Sequence, residues 1–122
     1  MNHQIGLIGG GNMAQAIIAG LLKNGRSSGD ILVSDPNQDC RKALAEMGIT
    51  SFADSSPVMA QTDLIVLAVK PQIMDSVLTN LADSLKATQV IISIAAGVTI
   101  HNIRRQLNDT QNPVVRVMPN TP

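Results

Sequence analysis

Ile5-Gly6-Leu7-Ile8 is a short, wholly apolar run, and Gly9-Gly10-Gly11-Asn12 follows it at once. Met13, Ala14, Ala16, Ile17, Ile18, Leu21 and Leu22 then recur at helical spacing, and Gly25 stands where a C-cap belongs. A buried strand, a glycine turn and an amphipathic helix in that order open a parallel βαβ unit. The alternation continues. Ile31-Leu32-Val33 is a second strand, and Asp35-Pro36 reads as N-cap and first residue of a helix through Arg41, Leu44 and Met47, closed by Gly48. Ile49 to Phe52 is a brief third strand, and Leu64 to Val69 is the strongest one, six uniformly apolar residues. Ile73, Val77, Leu78, Leu81 and Leu85 form the next helical stripe; Val90 to Ile94 is another strand. Ile100, Ile103 and Leu107 predict a short helix, and Val114 to Met118 a last strand. Apolar strands between amphipathic helices need cover on both faces of one parallel sheet, which is the doubly wound, three-layer α/β/α class.

Composition narrows the rest. The chain has 122 residues, enough for one domain with a real core, and 44% of them are hydrophobic. Nine basic residues balance nine acidic ones, so no electrostatic case exists for nucleic acid or an anionic membrane as partner. Phe52 is the only aromatic residue, so stacking platforms for bases are missing as well. A single cysteine, Cys40, excludes an internal disulfide framework and a cysteine zinc site, and suits a reducing compartment. His3 and His101 stand alone, so no metal is expected; Cys40 lacks a neighbouring base and is expected to be inert. Ala14-Gln15-Ala16 mimics a signal-peptidase site, but the start carries no basic residue and the apolar run breaks at Gly9. A cytoplasmic location is expected.

Gly9-Gly10-Gly11-Asn12-Met13-Ala14 fits G-x-G-x-x-A in the context that pattern requires, after a strand and opening a helix. Gly9 permits the tight turn. Gly11 lets a pyrophosphate approach the backbone, and Ala14 lets the helix pack close to the sheet. Free N–H groups and the dipole at the helix start favour the phosphates. The motif therefore points to a Rossmann-type dinucleotide site. Asp35 follows the second strand, where a carboxylate would accept from an adenosine ribose and favour NAD(H) over NADP(H). The same residue has a second reading as a plain helix cap, with Asn37, Gln38 and Arg41 near enough to serve a 2′-phosphate if it turns away. Ala68-Val69-Lys70-Pro71 and Ala95-Ala96-Gly97 each follow a strand, on the side where open α/β sheets bind ligands. Lys70 reads either as a solvated side chain or as a cation for phosphate or a general acid; Pro71 reads as the first residue of the next helix.

Four blocks occur in order: Ile8 to Met13; Leu67-Ala68-Val69-Lys70-Pro71-Gln72; Ser93 to Ile100; and Val115-Arg116-Val117-Met118-Pro119-Asn120-Thr121-Pro122. Together they resemble the N-terminal domain of the pyrroline-5-carboxylate reductases over the whole chain. The resemblance implies NAD(P)H-dependent reduction of the ring imine of 1-pyrroline-5-carboxylate to L-proline, by hydride delivery to the imine carbon. It further implies that Ile8, Gly9, Gly10, Gly11, Asn12 and Met13 hold the pyrophosphate and that Asp35 faces the adenosine ribose. Ala68 to Pro71 and Ala95 to Gly97 then line the cofactor, and Pro119, Asn120 and Thr121 lie near the nicotinamide and substrate. Ser55 stands where the family usually has an asparagine at the adenosine end, and Asp35 weakens the family's usual expectation of NADPH.

A protonated imine is already electrophilic, so no strong acid–base dyad is required. The family carries a second, helical domain that builds a dimer and much of the substrate pocket. The chain stops in turn chemistry at Pro122, so that domain is expected beyond residues 1–122, with an apolar patch near residues 114–122. A homo-oligomer is implied for the full-length protein. Two other readings compete: another two-domain NAD(P)-dependent dehydrogenase or imine reductase, and a non-catalytic NAD(P)-sensing module.

Overall fold

A computed structural model describes residues 4–117. Six strands, β1 Ile5–Ile8, β2 Ile31–Ser34, β3 Thr50–Phe52, β4 Leu64–Leu67, β5 Val90–Ser93 and β6 Val114–Arg116, form one parallel sheet in the order β3-β2-β1-β4-β5-β6. Five helices connect them: α1 Asn12–Lys23, α2 Gln38–Glu46, α3 Ser56–Gln61, α4 Met74–Leu81 and α5 Ile100–Gln106. The class read from the sequence is the class observed.

Alternation along the strands sorts the core into two layers. Ile5 and Leu7, Ile31 and Val33, and Val66 pack with Ala14 and Ile18 of α1 and Leu44 of α2. Ile8, Leu32, Ile65, Leu67 and Ile91 pack with Val58 and Met59 of α3, Leu78 of α4 and Ile103 of α5. Both faces of the central strands are buried, which is why they read as unbroken apolar runs. Gly6 makes room for α3: a Cβ there would lie 2.5 Å from both Thr62 Oγ1 and Val58 Cγ1. Val115 and Val117, within the stretch where an apolar patch is expected, are about half exposed, at 47% and 46%. Residues 118–122, including Pro119, Asn120 and Thr121, lie outside the described residues.

Several sequence expectations need correction at element ends: β5 stops at Ser93, β6 at Arg116 and α4 at Leu81, each short of the stretch read from the sequence. The cap of α2 is Asn37, whose Oδ1 accepts from Asp39 N at 2.8 Å and Cys40 N at 3.3 Å, and the helix begins at Gln38. Asp35 and Pro36 are therefore not its cap and first residue. Asp35 Oδ1 instead accepts from Asn37 N at 2.8 Å, and this side-chain turn displaces the helix start by two residues. Strand pairing also ends sooner than the apolar run, because β4 stops at Leu67 although Ala68 N still donates to Ile8 O at 2.8 Å.

Candidate functional site

Register aligns the carboxyl ends of the strands. Ile8 pairs with Ser34 and with Leu67, Ser34 with Phe52, and Leu67 with Ser93. The next residues in each chain segment, Gly9, Asp35, Ala53, Ala68 and Ile94, therefore meet along one edge. The chain leaves β1 toward β2 and β3, then returns to β4 on the other side of β1. Ligands of open α/β sheets bind outside such a reversal point.

Gly9 sits at φ +106° and presses on the β4 loop: a Cβ would lie 2.6 Å from the Ala68 carbonyl oxygen. Gly10 is packed too, with Leu44 Cδ1 2.9 Å from where its Cβ would be, a role the motif alone does not reveal. Gly11 is different. Its Cβ would meet nothing within 4 Å, so the space above the helix start is open. Gly11 caps α1 without a side-chain hydrogen bond, and the first turn holds no acidic residue. The side chains of Asn37 and Thr99 cap α2 and α5, whereas α3 and α4, like α1, start without a side-chain cap hydrogen bond. An uncapped start below open space leaves backbone N–H donors and the positive dipole end available to an anionic group. These features fit a pyrophosphate.

A cleft of about 560 Å³ adjoins this turn. It is lined by Ile8 and Gly9 at the end of β1, Ser34 and Asp35 at the end of β2, Asp54 and Ser55 after β3, Val69 after β4, and Ile73 and Val77 of the α4 segment. Its size and mixed lining suit the adenosine half of a dinucleotide, a flat apolar ring with a polar sugar. Asp35 bridges turn and cleft. Its Oδ2 accepts from Gly10 N at 2.8 Å, its Oδ1 accepts from Asn37 N, and its carbonyl accepts from Arg41 Nη1 at 2.8 Å. Asp54 Oδ1 accepts from Ser56 N at 3.1 Å, which orders the start of α3.

The family model described as NADP oxidoreductase, coenzyme F420-dependent, matches residues 4–97. The chain belongs to this family. The pyrroline-5-carboxylate reductase of Pasteurella multocida is 45% identical over 119 residues, covering 94% of this chain and 43% of that protein. The solved pyrroline-5-carboxylate reductase of Coxiella burnetii superposes with a TM-score of 0.93 at 36% identity, covering 100% of this chain and 46% of that one. The Plasmodium falciparum enzyme, solved with NADP bound, gives 0.84 at 29% identity, covering 99% and 44%. The chain thus spans less than half the length of these relatives. The resemblance carried by the four sequence blocks is borne out.

In this member of the family, Ile8, Gly9, Asp35, Ser55 and Val69 line the cleft, while Gly10, Gly11, Asn12 and Met13 form the turn and helix start beside it. Ala68 lies against Gly9. Lys70 is exposed and Pro71 begins a 3-10 turn, Pro71–Ile73, that leads into α4. Ala95 is buried, and Ala96 and Gly97 are exposed past β5, Gly97 at φ +75°. None of these last residues lines the cleft. Ile73 and Val77 read from the sequence only as part of a core stripe; in the fold Ile73 is exposed, and Val77 packs against the core while also lining the cleft.

The Cys40 thiol is pushed up from its ordinary value, first by burial and then by charge and hydrogen bonding from Asp35, with Asp39 adding to it. The neutral thiol is the favoured form and the nucleophilic thiolate is suppressed. Iodoacetamide at pH 8 is expected to modify Cys40 more slowly in the folded chain than in the urea-unfolded chain; equal rates would contradict this reading. Among the described residues no helix is long and apolar enough to cross a membrane, and no cluster of three metal-ligating residues gathers.

Proposed function

We propose that this chain is the cofactor-holding part of an NAD(P)H-dependent reductase that converts 1-pyrroline-5-carboxylate to L-proline. The observation that carries this reading is the uncapped start of α1 beneath the open space at Gly11, joined to the adenosine-sized cleft at the β1–β4 reversal. Membership of a family of NADP oxidoreductases, and likeness to pyrroline-5-carboxylate reductases, support the substrate.

The bound dinucleotide supplies a hydride for the imine carbon. The chain's own residues orient and exclude. Backbone N–H groups of Gly11, Asn12 and Met13 face the pyrophosphate, and Gly9 keeps the Ala68 backbone close beneath it. Asp35 and Ser55 hold the ribose, with the ring between Val69 and the α4 wall. Ala68 to Pro71 and Ala95 to Gly97 continue toward the nicotinamide, where we place Pro119, Asn120 and Thr121 beside the substrate. The imine nitrogen arrives protonated, so positioning and electrostatics do most of the work. We place the remaining substrate pocket and the contacts of a homo-oligomer outside residues 1–122, and the protein in the cytoplasm.

The test is turnover of 1-pyrroline-5-carboxylate by the full-length protein. Proline is expected to form in step with oxidation of the reduced nicotinamide; no proline with either cofactor would refute the assignment. Residues 1–122 alone are expected to bind dinucleotide with little or no turnover, and turnover at the full-length rate would contradict that division of labour.

A further inference from the structure

We propose that Gln15 is a positioning residue for the pyrophosphate site: its side-chain amide holds the Gly10–Gly11 peptide so that the Gly11 N–H stays available to the phosphates. The proposal rests on the dinucleotide reading above and deepens it. Gln15 Nε2 donates to the Gly10 carbonyl oxygen at 2.9 Å, reaching back from the first turn of α1. Gln15 does not line the cleft, so its effect on the site passes through the backbone of the glycine turn.

Three glycines in a row leave the turn without a Cβ to restrict it, so its peptide units depend on tethers. Gly9 N donates to Ser34 O at 2.8 Å, which fixes the unit between Ile8 and Gly9. Gly10 N donates to Asp35 Oδ2 at 2.8 Å, which fixes the unit between Gly9 and Gly10. The Gly11 carbonyl accepts from Gln15 N at 2.9 Å, the first backbone bond of α1. The unit between Gly10 and Gly11 is held on its carbonyl side by the Gln15 side chain. That unit carries the Gly11 N–H, one of the helix-start donors assigned above to the pyrophosphate.

Planarity converts a hold on the carbonyl into a direction for the donor. No peptide bond among the described residues is cis, so the N–H of this unit points opposite to its C=O. With the Gly10 oxygen turned onto Gln15, the Gly11 N–H points away from that side chain. The dihedrals that would flip the unit, ψ of Gly10 and φ of Gly11, both belong to glycines, so no side chain of their own resists the flip. A flip would withdraw the donor and present a carbonyl oxygen to an anion instead. The Gln15 bond opposes this, and a hydrogen bond accepted by the carbonyl also polarises the N–H of the same unit. The turn is thereby set before the ligand arrives, which lowers the cost of binding.

The experiment compares the full chain with its Gln15→Met variant, which keeps side-chain length and helix propensity but donates no hydrogen bond. NADPH, NADH and adenosine, the last without a pyrophosphate, are titrated into both and followed by nitrogen-15 amide shifts. Loss of the one bond is expected to weaken the dinucleotides about 3- to 10-fold and to leave adenosine affinity unchanged. A merely structural role would weaken adenosine in the same proportion. Equal dinucleotide affinity in the two chains, or an equal loss for adenosine, would overturn the positioning role and leave the dinucleotide reading standing. If Gln15→Met loses its fold by circular dichroism, the unmodified chain decides. A scalar coupling across the hydrogen bond from Gln15 Nε2 to the Gly10 carbonyl carbon is expected there, and its absence would overturn the proposal. No binding of either dinucleotide to the unmodified chain would overturn the dinucleotide reading itself, and the proposal with it.

Discussion

Gly9→Ala is expected to destabilise the chain by about 3–5 kcal/mol and to abolish nucleotide binding at ordinary concentrations. Two causes add. Gly9 has φ +106°, where an alanine is strained. The new Cβ would also lie 2.6 Å from the Ala68 carbonyl oxygen and 2.8 Å from its carbon, which are backbone atoms with no rotamer to escape into. Relief requires β1 and β4 to part at their carboxyl ends, which loosens the 2.8 Å bond from Ala68 N to Ile8 O. A domain of this size has about 5–15 kcal/mol of stability, so the loss is a large fraction. Gly11→Ala is the matched control. Its φ is −79° and its Cβ meets nothing within 4 Å, so stability should change by less than about 1 kcal/mol. Nucleotide affinity should still fall, because the methyl group occupies the space proposed for the pyrophosphate. Urea denaturation and calorimetric titration of both variants check this; equal stability losses would contradict it.

Gln89→Leu should cost about 3 kcal/mol, and it acts at the opposite end of the sheet. Gln89 is 1% exposed. Its Nε2 donates to Met59 O at 2.7 Å and Thr62 O at 2.8 Å, and its Oε1 accepts from Lys86 N at 2.8 Å. The amide therefore ties the end of α3 to the turn before β5. Asn112 extends the network to β6, with Nδ2 donating to the Lys86 and Gln89 carbonyl oxygens at 2.7 Å each. Leucine keeps the volume and leaves the buried Met59 and Thr62 carbonyls without this donor. The midpoint of thermal unfolding should fall by about 10 °C. Nucleotide affinity of the folded fraction should not change, because the network lies at the amino ends of β4, β5 and β6. Gln89→Leu and Asn112→Leu share partners, so their losses should not add. A shift of under about 2 °C for Gln89→Leu would show that the network is not needed for stability.

Neither Gln89 nor Asn112 announces itself locally: each is a polar residue next to a turn, and only the folded chain buries it. The strands were legible for the contrary reason. A parallel sheet covered on both faces favours near-continuous apolar runs in its central strands, and Leu64 to Leu67 and Ile31 to Val33 are such runs. Helix α3 was not legible, because six residues with only Val58 and Met59 buried make no periodic stripe. The unread sign was Gly6, a glycine inside a strand, which marks the close approach of α3. The start of α2 was misread because Asp35-Pro36 carries the same local signal as a cap, whereas its carboxylate is engaged by Gly10, 25 residues away. The glycine turn was legible from spacing and context together. The α4 wall of the cleft was not, since Ile73 and Val77 satisfy a core stripe and a ligand wall equally well.

Amide chemical-shift mapping tests the central claim most directly. In a nitrogen-15 spectrum of the chain titrated with NADH, Gly9, Gly10, Gly11, Asn12 and Met13 should shift most. Asp35, Ser55 and Val69 should follow, while Gln89 and Asn112 stay still. Saturable shifts confined to another surface, or none at the glycine turn, would contradict the assignment of this edge of the sheet as a dinucleotide site.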